Sequence, residues 1–193
     1  MPCHNVHNVE RKFHTDSESW EWRLSFIGQP MQHNYYLYYI IDKLMKDNQF
    51  SEVVEIGTGH GALTTVLGLW GLTKDIPVLT VDIQHIHNER LFNYLGITFM
   101  QIDEFGKDFE YAVSQFTNNY TDKVLFICDG GDKVREFNFW APKLASGSII
   151  TIHDWTVEVA QTDIEPVASQ YCIPYNEDMW NKLNVQFATF KVK

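Results

Sequence analysis

Short apolar runs alternate with helical stretches from about residue 50 onward, and this alternation limits the fold more than any other feature of the chain. Apolar runs rich in β-branched residues predict strands at 52–57, 77–83, 97–102, 123–129, 148–154 and 185–192. Helical spacing predicts helices near 60–71, 85–94, 106–119, 132–144 and 156–171. Such βαβ repetition is typical of a doubly wound α/β fold, a mostly parallel sheet with helices on both faces.

The two ends of the chain differ from this pattern. The run 185–192 alternates apolar and polar residues, which predicts an antiparallel strand near one edge of a Rossmann-like sheet of six or seven strands. A further strand without a defined position could lie within 168–174. Residues 1–30 are polar and lack periodicity, whereas 32–47 has the apolar spacing of a helix. We therefore divide the chain into an N-terminal extension, which we expect to act as a lid, and one domain over 31–193.

Charge and cysteine content exclude several classes of protein. Fifteen basic and twenty-five acidic residues leave a formal net charge of −10, the wrong sign for a surface that follows a phosphate backbone. The three cysteines are odd in number and widely spaced, which fits neither a disulfide framework nor a zinc site and indicates a reducing compartment. No stretch resembles a signal-peptide core or a membrane span. We expect a cytoplasmic protein that binds neither nucleic acid nor membrane.

The segment VVEIGTGHGALT, residues 53–64, joins the first of these predicted strands to the helix after it. Gly57, Gly59 and Gly61 occupy alternate positions there, and glycine permits positive φ and lets a ligand approach the backbone. A dinucleotide fingerprint would need the spacing G-x-G-x-x-G instead. Glu55 would be badly placed beside a pyrophosphate but well placed to receive a cationic or amino-bearing ligand. In such sheets ligands bind at the carboxyl ends of the strands, where this loop lies.

The order E-x-G-x-G-x-G resembles motif I of the class I S-adenosylmethionine (SAM)-dependent methyltransferases, and the resemblance covers roughly residues 50–155 and the last strand. It implies that Asp82, 27 positions after Glu55, accepts hydrogen bonds from both ribose hydroxyls, and that Ile83 lies against the adenine. Asp103, after the third strand, resembles the acid near the adenine edge. The residues implied in cofactor binding are Glu55, Gly57, Thr58, Gly59, Gly61, Asp82, Ile83, Asp103 and Asp129.

The segments LFICDGGDK (125–133) and FWAPKLASGSIITIHD (139–154) narrow the resemblance to one branch of this family. They follow the order strand, D-G, helix, P-x-L-x-x-G, strand, H-D. This order resembles small-molecule O-methyltransferases similar to the catechol and caffeoyl-CoA methyltransferases, and relatives of the cephalosporin hydroxylases. The resemblance implies transfer of a methyl group from SAM to a small-molecule acceptor, by O-methylation.

Metal-dependent members of this branch hold Mg²⁺ with an aspartate after strand four and an Asp-Asn pair after strand five. Asp129 and Asp154 match the two aspartates, so the resemblance implies a Mg²⁺ site on them. Trp155 stands in place of the asparagine, and Lys133 lies one position beyond the lysine that the metal-dependent enzymes carry. Because of these departures, the sequence leaves open whether Mg²⁺ is a second cofactor beside SAM.

Methyl transfer from a sulfonium is an in-line displacement, which requires a positioned acceptor and usually the removal of its proton. Asp129 and Asp154 are expected at neighbouring strand ends, where they either share a cation or supply a base. His153 has the ordinary pKa of a general base, but alternation along a strand would turn only one of His153 and Asp154 into the crevice. These three residues are the candidate catalytic set, and the other histidines are interpreted as solvated.

Other functions remain open on the sequence alone. The chain could bind SAM or its product without catalysis, as a sensor or partner subunit, or it could be an aminopropyl transferase, which needs acidic residues to receive a polyamine. The sequence does not identify the acceptor, whose pocket would be built from the N-terminal segment, the Tyr-rich helix and the loops after strands four and five. A homodimer is also left open.

Overall fold

The computed structural model describes residues 25–31, 33, 35–84, 88–183 and 185–193. Within these ranges, nine strands and seven helices follow one another along the chain. They are β1 (Ser25–Phe26), β2 (Gln29–Pro30), α1 (Tyr35–Asp47), β3 (Glu52–Ile56), α2 (Ala62–Lys74), β4 (Val78–Asp82), α3 (Glu89–Leu95), β5 (Ile97–Gln101), α4 (Lys107–Phe116), β6 (Val124–Cys128), α5 (Lys133–Trp140), β7 (Ile149–His153), α6 (Gln161–Tyr171), β8 (Cys172–Pro174), α7 (Glu177–Leu183) and β9 (Phe187–Val192).

Seven of the strands form one sheet in the order β5-β4-β3-β6-β7-β9-β8. The strands β3 to β7 pair in parallel, and β9 pairs antiparallel with both β7 and β8. The mostly parallel, doubly wound sheet and the antiparallel strand near its edge are therefore confirmed. The strand sought within 168–174 is β8, which forms the edge beyond β9. The strand order reverses between β3 and β6, and this reversal opens a crevice at the carboxyl ends of the strands.

The core lies on both faces of the central strands. β3 and β6 are buried along their whole length, as strands covered by helices on both faces should be. Trp140 of α5 shows how the helical cover packs. Its ring centroid lies 5.4 Å from that of Phe109 on α4 and 5.1 Å from that of Phe126 on β6. Trp140 therefore joins α5 to a second helix and to the sheet.

The segment between β7 and α6 departs from prediction, because the helix expected from residue 156 begins at Gln161. Asp154 and Thr156 have φ angles of 54° and 70°, which an α-helix cannot contain. The carbonyl oxygen of Asp154 accepts hydrogen bonds from the N–H groups of Val157 and Glu158, at 3.0 and 2.9 Å. A tight turn therefore follows β7 directly. The short helix α7 was also not predicted; it buries Trp180 against the sheet.

The predicted lid, residues 1–30, falls mostly outside the described residues, which begin at residue 25. Residues 25–30 form the hairpin of β1 and β2, in which Ser25 pairs with Pro30 and Phe26 with Gln29. In the described part of the chain, no helix is long and apolar enough to cross a membrane. Cys128 and Cys172 are buried free thiols.

Candidate active site

The loop between β3 and α2 carries the three glycines in left-handed backbone conformations, with φ angles of 88° at Gly57, 51° at Gly59 and 82° at Gly61. Gly57 is also required by space. A Cβ atom there would lie 2.0 Å from the carbonyl oxygen of Asp129 at the end of β6. The N–H groups of Gly57 and Thr58 donate to a carbonyl of β4. The loop is therefore held against both neighbouring strand ends.

Glu55 lies beneath this loop, inside the protein, with 1% of its surface exposed. Its Oε2 accepts hydrogen bonds from the hydroxyls of Thr64, at 2.6 Å, and Thr80, at 2.7 Å. Because Thr80 donates to Glu55, the hydroxyl of Thr58, 2.7 Å away, donates to Thr80. Burial raises the pKa of Glu55 to about 8, although the two threonine hydroxyls oppose this shift. Glu55, which was predicted to face the ligand, therefore contacts Thr64 and Thr80 directly and Thr58 through Thr80.

Asp82 ends β4 beside the glycine loop. Its Oδ2 accepts the N–H of Gly59 at 2.8 Å, and its Oδ1 accepts a backbone N–H two residues further on. Each carboxylate oxygen keeps a lone pair for another donor. Ile83 next to it is 63% exposed, and Asp103 follows the neighbouring strand β5, where it accepts a backbone N–H of its own loop. The structure therefore brings the predicted cofactor residues to adjacent strand ends.

Across the strand reversal, Asp129 lies between two histidines. Its Oδ2 is 2.9 Å from Nε2 of His33, and its Oδ1 is 2.9 Å from Nδ1 of His153. The two imidazole rings meet edge to face, with centroids 4.5 Å apart. Between 10% and 14% of each side chain is exposed. Within the described residues, the buried Nδ1 of His33 has no hydrogen-bond partner.

The three side chains perturb one another's protonation. Burial alone would raise the pKa of Asp129, but His153 and then His33 hold it well below its usual range. Burial lowers the pKa of His33, and the charge on His153 lowers it further. Burial would also lower the pKa of His153, but the carboxylates of Asp129 and Asp154 outweigh it and raise this pKa to about 10. Without another ligand, Asp129 and His153 are a buried ion pair and His33 is neutral.

A second charged group lies next to this pair. Nζ of Lys133 is 3.0 Å from Oδ2 of Asp154 and 3.0 Å from Oε2 of Glu158, and it donates to the carbonyl of Gly130. Burial opposes the charge on Lys133, but Glu158, Asp129 and Asp154 raise its pKa above the usual range. Oδ1 of Asp154 is 3.3 Å from Nδ1 of His153. The lysine that is displaced in sequence therefore reaches the strand-five aspartate.

Two expectations about the residues around Asp129 need correction. His153 and Asp154 do not alternate, because Asp154 lies beyond the end of β7 with a positive φ, and Nδ1 of His153 contacts both Asp129 and Asp154. His33 was interpreted as solvated, yet it is largely buried against Asp129. Trp155, which replaces the family's asparagine, packs 5.8 Å from Trp180 in an aromatic cluster. No residue spacing pointed to His33.

Glu136 is a further buried acid that the sequence did not single out. It lies on α5, fully buried, and accepts hydrogen bonds from the N–H groups of Gly130 and Asp132, both at 3.2 Å. Burial raises its pKa to about 8, against the effect of these two hydrogen bonds. Glu136 thus holds the loop after β6 in the way that Glu55 holds the loop after β3.

No family model matches the sequence, and no curated protein matches it. Solved structures do match. CmcI is 13% identical over 88% of this chain and 76% of its own, with a TM-score of 0.65. A putative caffeoyl-CoA O-methyltransferase from Staphylococcus aureus is 13% identical over 98% and 92%, with a TM-score of 0.55. MycE methyltransferase from the mycinamycin biosynthetic pathway, in complex with Mg and SAH, is 14% identical over 97% of this chain and 54% of its own, with a TM-score of 0.56.

The chain therefore spans about half the length of MycE and most of the length of the other two. At these identities, the likeness establishes the fold. The fold is the Rossmann-like methyltransferase fold that the motif resemblance implied, and the strand reversal at which it places the glycine loop is where such sheets bind ligands.

Proposed function

We propose that the chain is a SAM-dependent methyltransferase that methylates an oxygen atom of a small molecule. The observation that carries this proposal is the meeting of two different sites at the strand reversal. We name the glycine loop with Glu55 and Asp82 the cofactor half. We name the cluster of His33, Asp129, Lys133, His153 and Asp154 the acceptor half. The two halves touch, because Gly57 packs directly on the backbone of Asp129.

The cofactor half offers what a SAM molecule needs. SAM supplies a methyl group that is already activated as a sulfonium. The N-cap residue of helix α2 is Gly61, which offers no side-chain cap, so the first N–H groups of the helix are left for a polar ligand group. Asp82 offers lone pairs for the ribose hydroxyls, and the exposed Ile83 offers apolar surface for adenine. Glu55 acts indirectly, by holding the loop through threonines.

The acceptor half offers charged groups that can orient a hydroxyl and take up its proton. Asp129, His153 and Asp154, the candidate catalytic set, approach one another to within 3.3 Å through the shared Nδ1 of His153. Lys133 neutralises part of the charge on Asp154. Such positioning beside an activated donor supplies much of the rate of an in-line displacement. The acceptor is held by the chain at the same strand ends as the cofactor.

A metal in this half is supported by neighbours, since MycE was solved with Mg and SAH and CmcI with Mg and SAM. A divalent cation held on Asp129 would lower the pKa of an acceptor hydroxyl. The carboxylates of Asp129 and Asp154 offer negative charge to a divalent cation. The atoms nearest to Asp129, however, are imidazole nitrogens, and Asp154 is engaged by Lys133. The donor set therefore fits a divalent transition-metal ion better than it fits Mg²⁺.

The test is incubation of the purified protein with methyl-labelled SAM and a panel of hydroxylated acceptors. We expect labelled acceptor and S-adenosylhomocysteine in equal amounts, lost in Asp129→Asn. Binding of SAM without either product across the panel would indicate the non-catalytic binding module. Release of methylthioadenosine with a polyamine would indicate aminopropyl transfer. A protein that does not bind SAM in calorimetry would overturn the proposal as a whole.

Location and assembly belong to the same proposal. A cytoplasmic location is supported by the free thiols of Cys128 and Cys172, which fit a reducing compartment. A homodimer stays a prediction, which sedimentation of the purified protein tests directly. Nucleic acid is not a proposed partner, because the net charge of −10 opposes phosphate binding.

A further inference from the structure

The histidine–aspartate cluster of the acceptor half brings together donor atoms from three distant segments. His33 precedes α1, Asp129 follows β6, and His153 ends β7. One ligand atom from each residue, Nε2, a carboxylate oxygen and Nδ1, lies within 4.8 Å of the other two. The three atoms are therefore close enough to one another to contact a single ion.

The distances within the cluster match those of ligands around one ion. Both nitrogens lie 2.9 Å from an oxygen of Asp129. Neighbouring ligands on an octahedral ion with bonds of about 2.1 Å are about 3.0 Å apart. An ion can therefore enter with small side-chain adjustments. The edge-to-face rings of His33 and His153, 4.5 Å apart, already turn both nitrogens toward Asp129.

The charges around the cluster favour a divalent cation. Asp129, Asp154 and Glu158 are three carboxylates, and Lys133 is the one ammonium group that contacts them among the described residues. With both imidazoles neutral, two negative charges remain. The chain as a whole carries a formal charge of −10, which raises the local concentration of cations.

We propose that His33, Asp129 and His153 bind a divalent transition-metal ion in preference to Mg²⁺. Imidazole nitrogen suits ions such as Zn²⁺, Co²⁺ and Fe²⁺, whereas Mg²⁺ selects oxygen ligands. Asp154 is not a ligand in this arrangement, because Lys133 holds it. The ion replaces the proton that His153 otherwise carries. Its role in methyl transfer rests on the proposed function, but its binding does not.

The competing account is a structural ion pair, in which a proton on His153 is the only cation between the imidazoles and Asp129. This account predicts no metal binding. The two accounts differ in a direct binding measurement.

The experiment titrates Co²⁺ into chelator-treated full-length protein, without SAM or acceptor, and follows the visible absorption of the bound ion. We expect one Co²⁺ per chain, displaced by Zn²⁺ but not by a large excess of Mg²⁺. His33→Ala should lower the Co²⁺ affinity at least about tenfold, since removing even outer partners of a metal site costs 10–100-fold. Asp154→Asn removes a carboxylate 3.3 Å from Nδ1 of His153 but no ligand atom, so it should lower the affinity less than His33→Ala does.

X-ray absorption of the Zn²⁺ form provides a readout that does not depend on variants, with two imidazole ligands expected. Thermal unfolding shows whether His33→Ala remains folded. Absence of Co²⁺ binding by the wild-type protein, a spectrum without imidazole ligands, or loss of affinity in Asp154→Asn but not in His33→Ala would each overturn the inference. Because SAM is absent, these outcomes are independent of whether the chain is a methyltransferase.

Discussion

The cofactor half and the acceptor half lie side by side at the same strand ends, yet they satisfy their acids in opposite ways. In the cofactor half, the partners of Glu55 are threonine hydroxyls and those of Asp82 are backbone N–H groups. In the acceptor half, the partners of Asp129 and Asp154 are ionisable side chains, two histidines and a lysine. One half is a network of neutral donors, and the other is a cluster of charges.

Under the proposed function, this difference separates a surface that binds the cofactor from a surface that supports the chemistry. A network of neutral hydrogen-bond donors keeps the backbone of the loop rigid. A buried group of charges is costly to assemble and sensitive to the loss of any member. Both halves shift pKa values, but burial raises that of Glu55 to about 8, whereas neighbouring carboxylates raise that of His153 to about 10. Shifts caused by a specific charged partner are typical of functional sites.

The largest expected effect comes from the contact between the halves. Gly57→Ala would place Cβ 2.0 Å from the carbonyl oxygen of Asp129 at a φ of 88°. Because the obstacle is backbone, we expect a loss of at least about 4 kcal/mol in the free energy of unfolding. Gly96→Ala is the matched control. Its φ is 68° and no atom lies within 4 Å of its Cβ, so about 1 kcal/mol is expected. Equal losses in urea unfolding would refute the close contact.

Next in size is Asp129→Asn, which removes the charge that both histidines contact. We expect a loss of about 3 kcal/mol in unfolding free energy, because breaking a buried pair leaves the other charge uncompensated. Asp82→Asn is the control in the cofactor half, and it should cost about 1 kcal/mol, because backbone N–H groups are its partners. A smaller loss for Asp129→Asn than for Asp82→Asn would contradict the contrast between the two halves.

The same contrast explains how much of the molecule could be predicted from its sequence. The parallel strands follow from apolar runs and agree with the structure within a few residues. The cofactor half follows from contiguous motifs, since Gly57, Gly59 and Gly61 lie in one loop and Asp82 ends the next strand. In this half, the spacing of residues along the sequence identifies the site, because the backbone geometry of the loop requires glycine at those positions.

The acceptor half depends on contacts that no spacing encodes. His33 is 96 residues from Asp129, and it reaches that residue from a position just before α1. Lys133 was read as displaced, but its long side chain reaches Asp154 from the start of α5. Asp154 has a positive φ and lies beyond the end of β7, so the alternation of side chains along a strand does not apply to it. Tertiary packing decided each of these cases.

A third prediction concerns the affinity for SAM. Asp82→Ala should leave the fold intact and weaken SAM binding by about 3 kcal/mol, since two hydrogen bonds to a charged acceptor are lost. Calorimetry at constant pH measures this as a fall of about a hundredfold in affinity. Asp103→Ala should have a smaller effect, because Asp103 lies one strand further along the sheet. Unchanged affinity in Asp82→Ala would rule out the ribose contact.

The most selective effect tests, through Glu55→Gln, whether Glu55 is neutral in the folded chain. The pKa of Glu55 is about 8 in the folded chain because the side chain is buried, and about 4.3 in an unfolded chain. The folded state therefore holds a proton that the unfolded state releases, so this contribution to stability is complete below pH ~4.3 and is lost as pH rises through about 8.

Glutamine keeps an acceptor for Thr64 and Thr80 but does not ionise. Between pH 5 and 8, the unfolding free energy of the wild-type chain should fall relative to that of the variant, by at most about 1.4 kcal/mol per pH unit. Glu136, whose pKa is also about 8, contributes equally to both curves and cancels in their difference. Glu177→Gln, at an exposed glutamate, should show the same dependence of unfolding free energy on pH as the wild-type chain. Parallel curves for Glu55→Gln and the wild-type chain would mean that Glu55 is ionised in the folded protein, and that the cofactor half carries a buried charge after all.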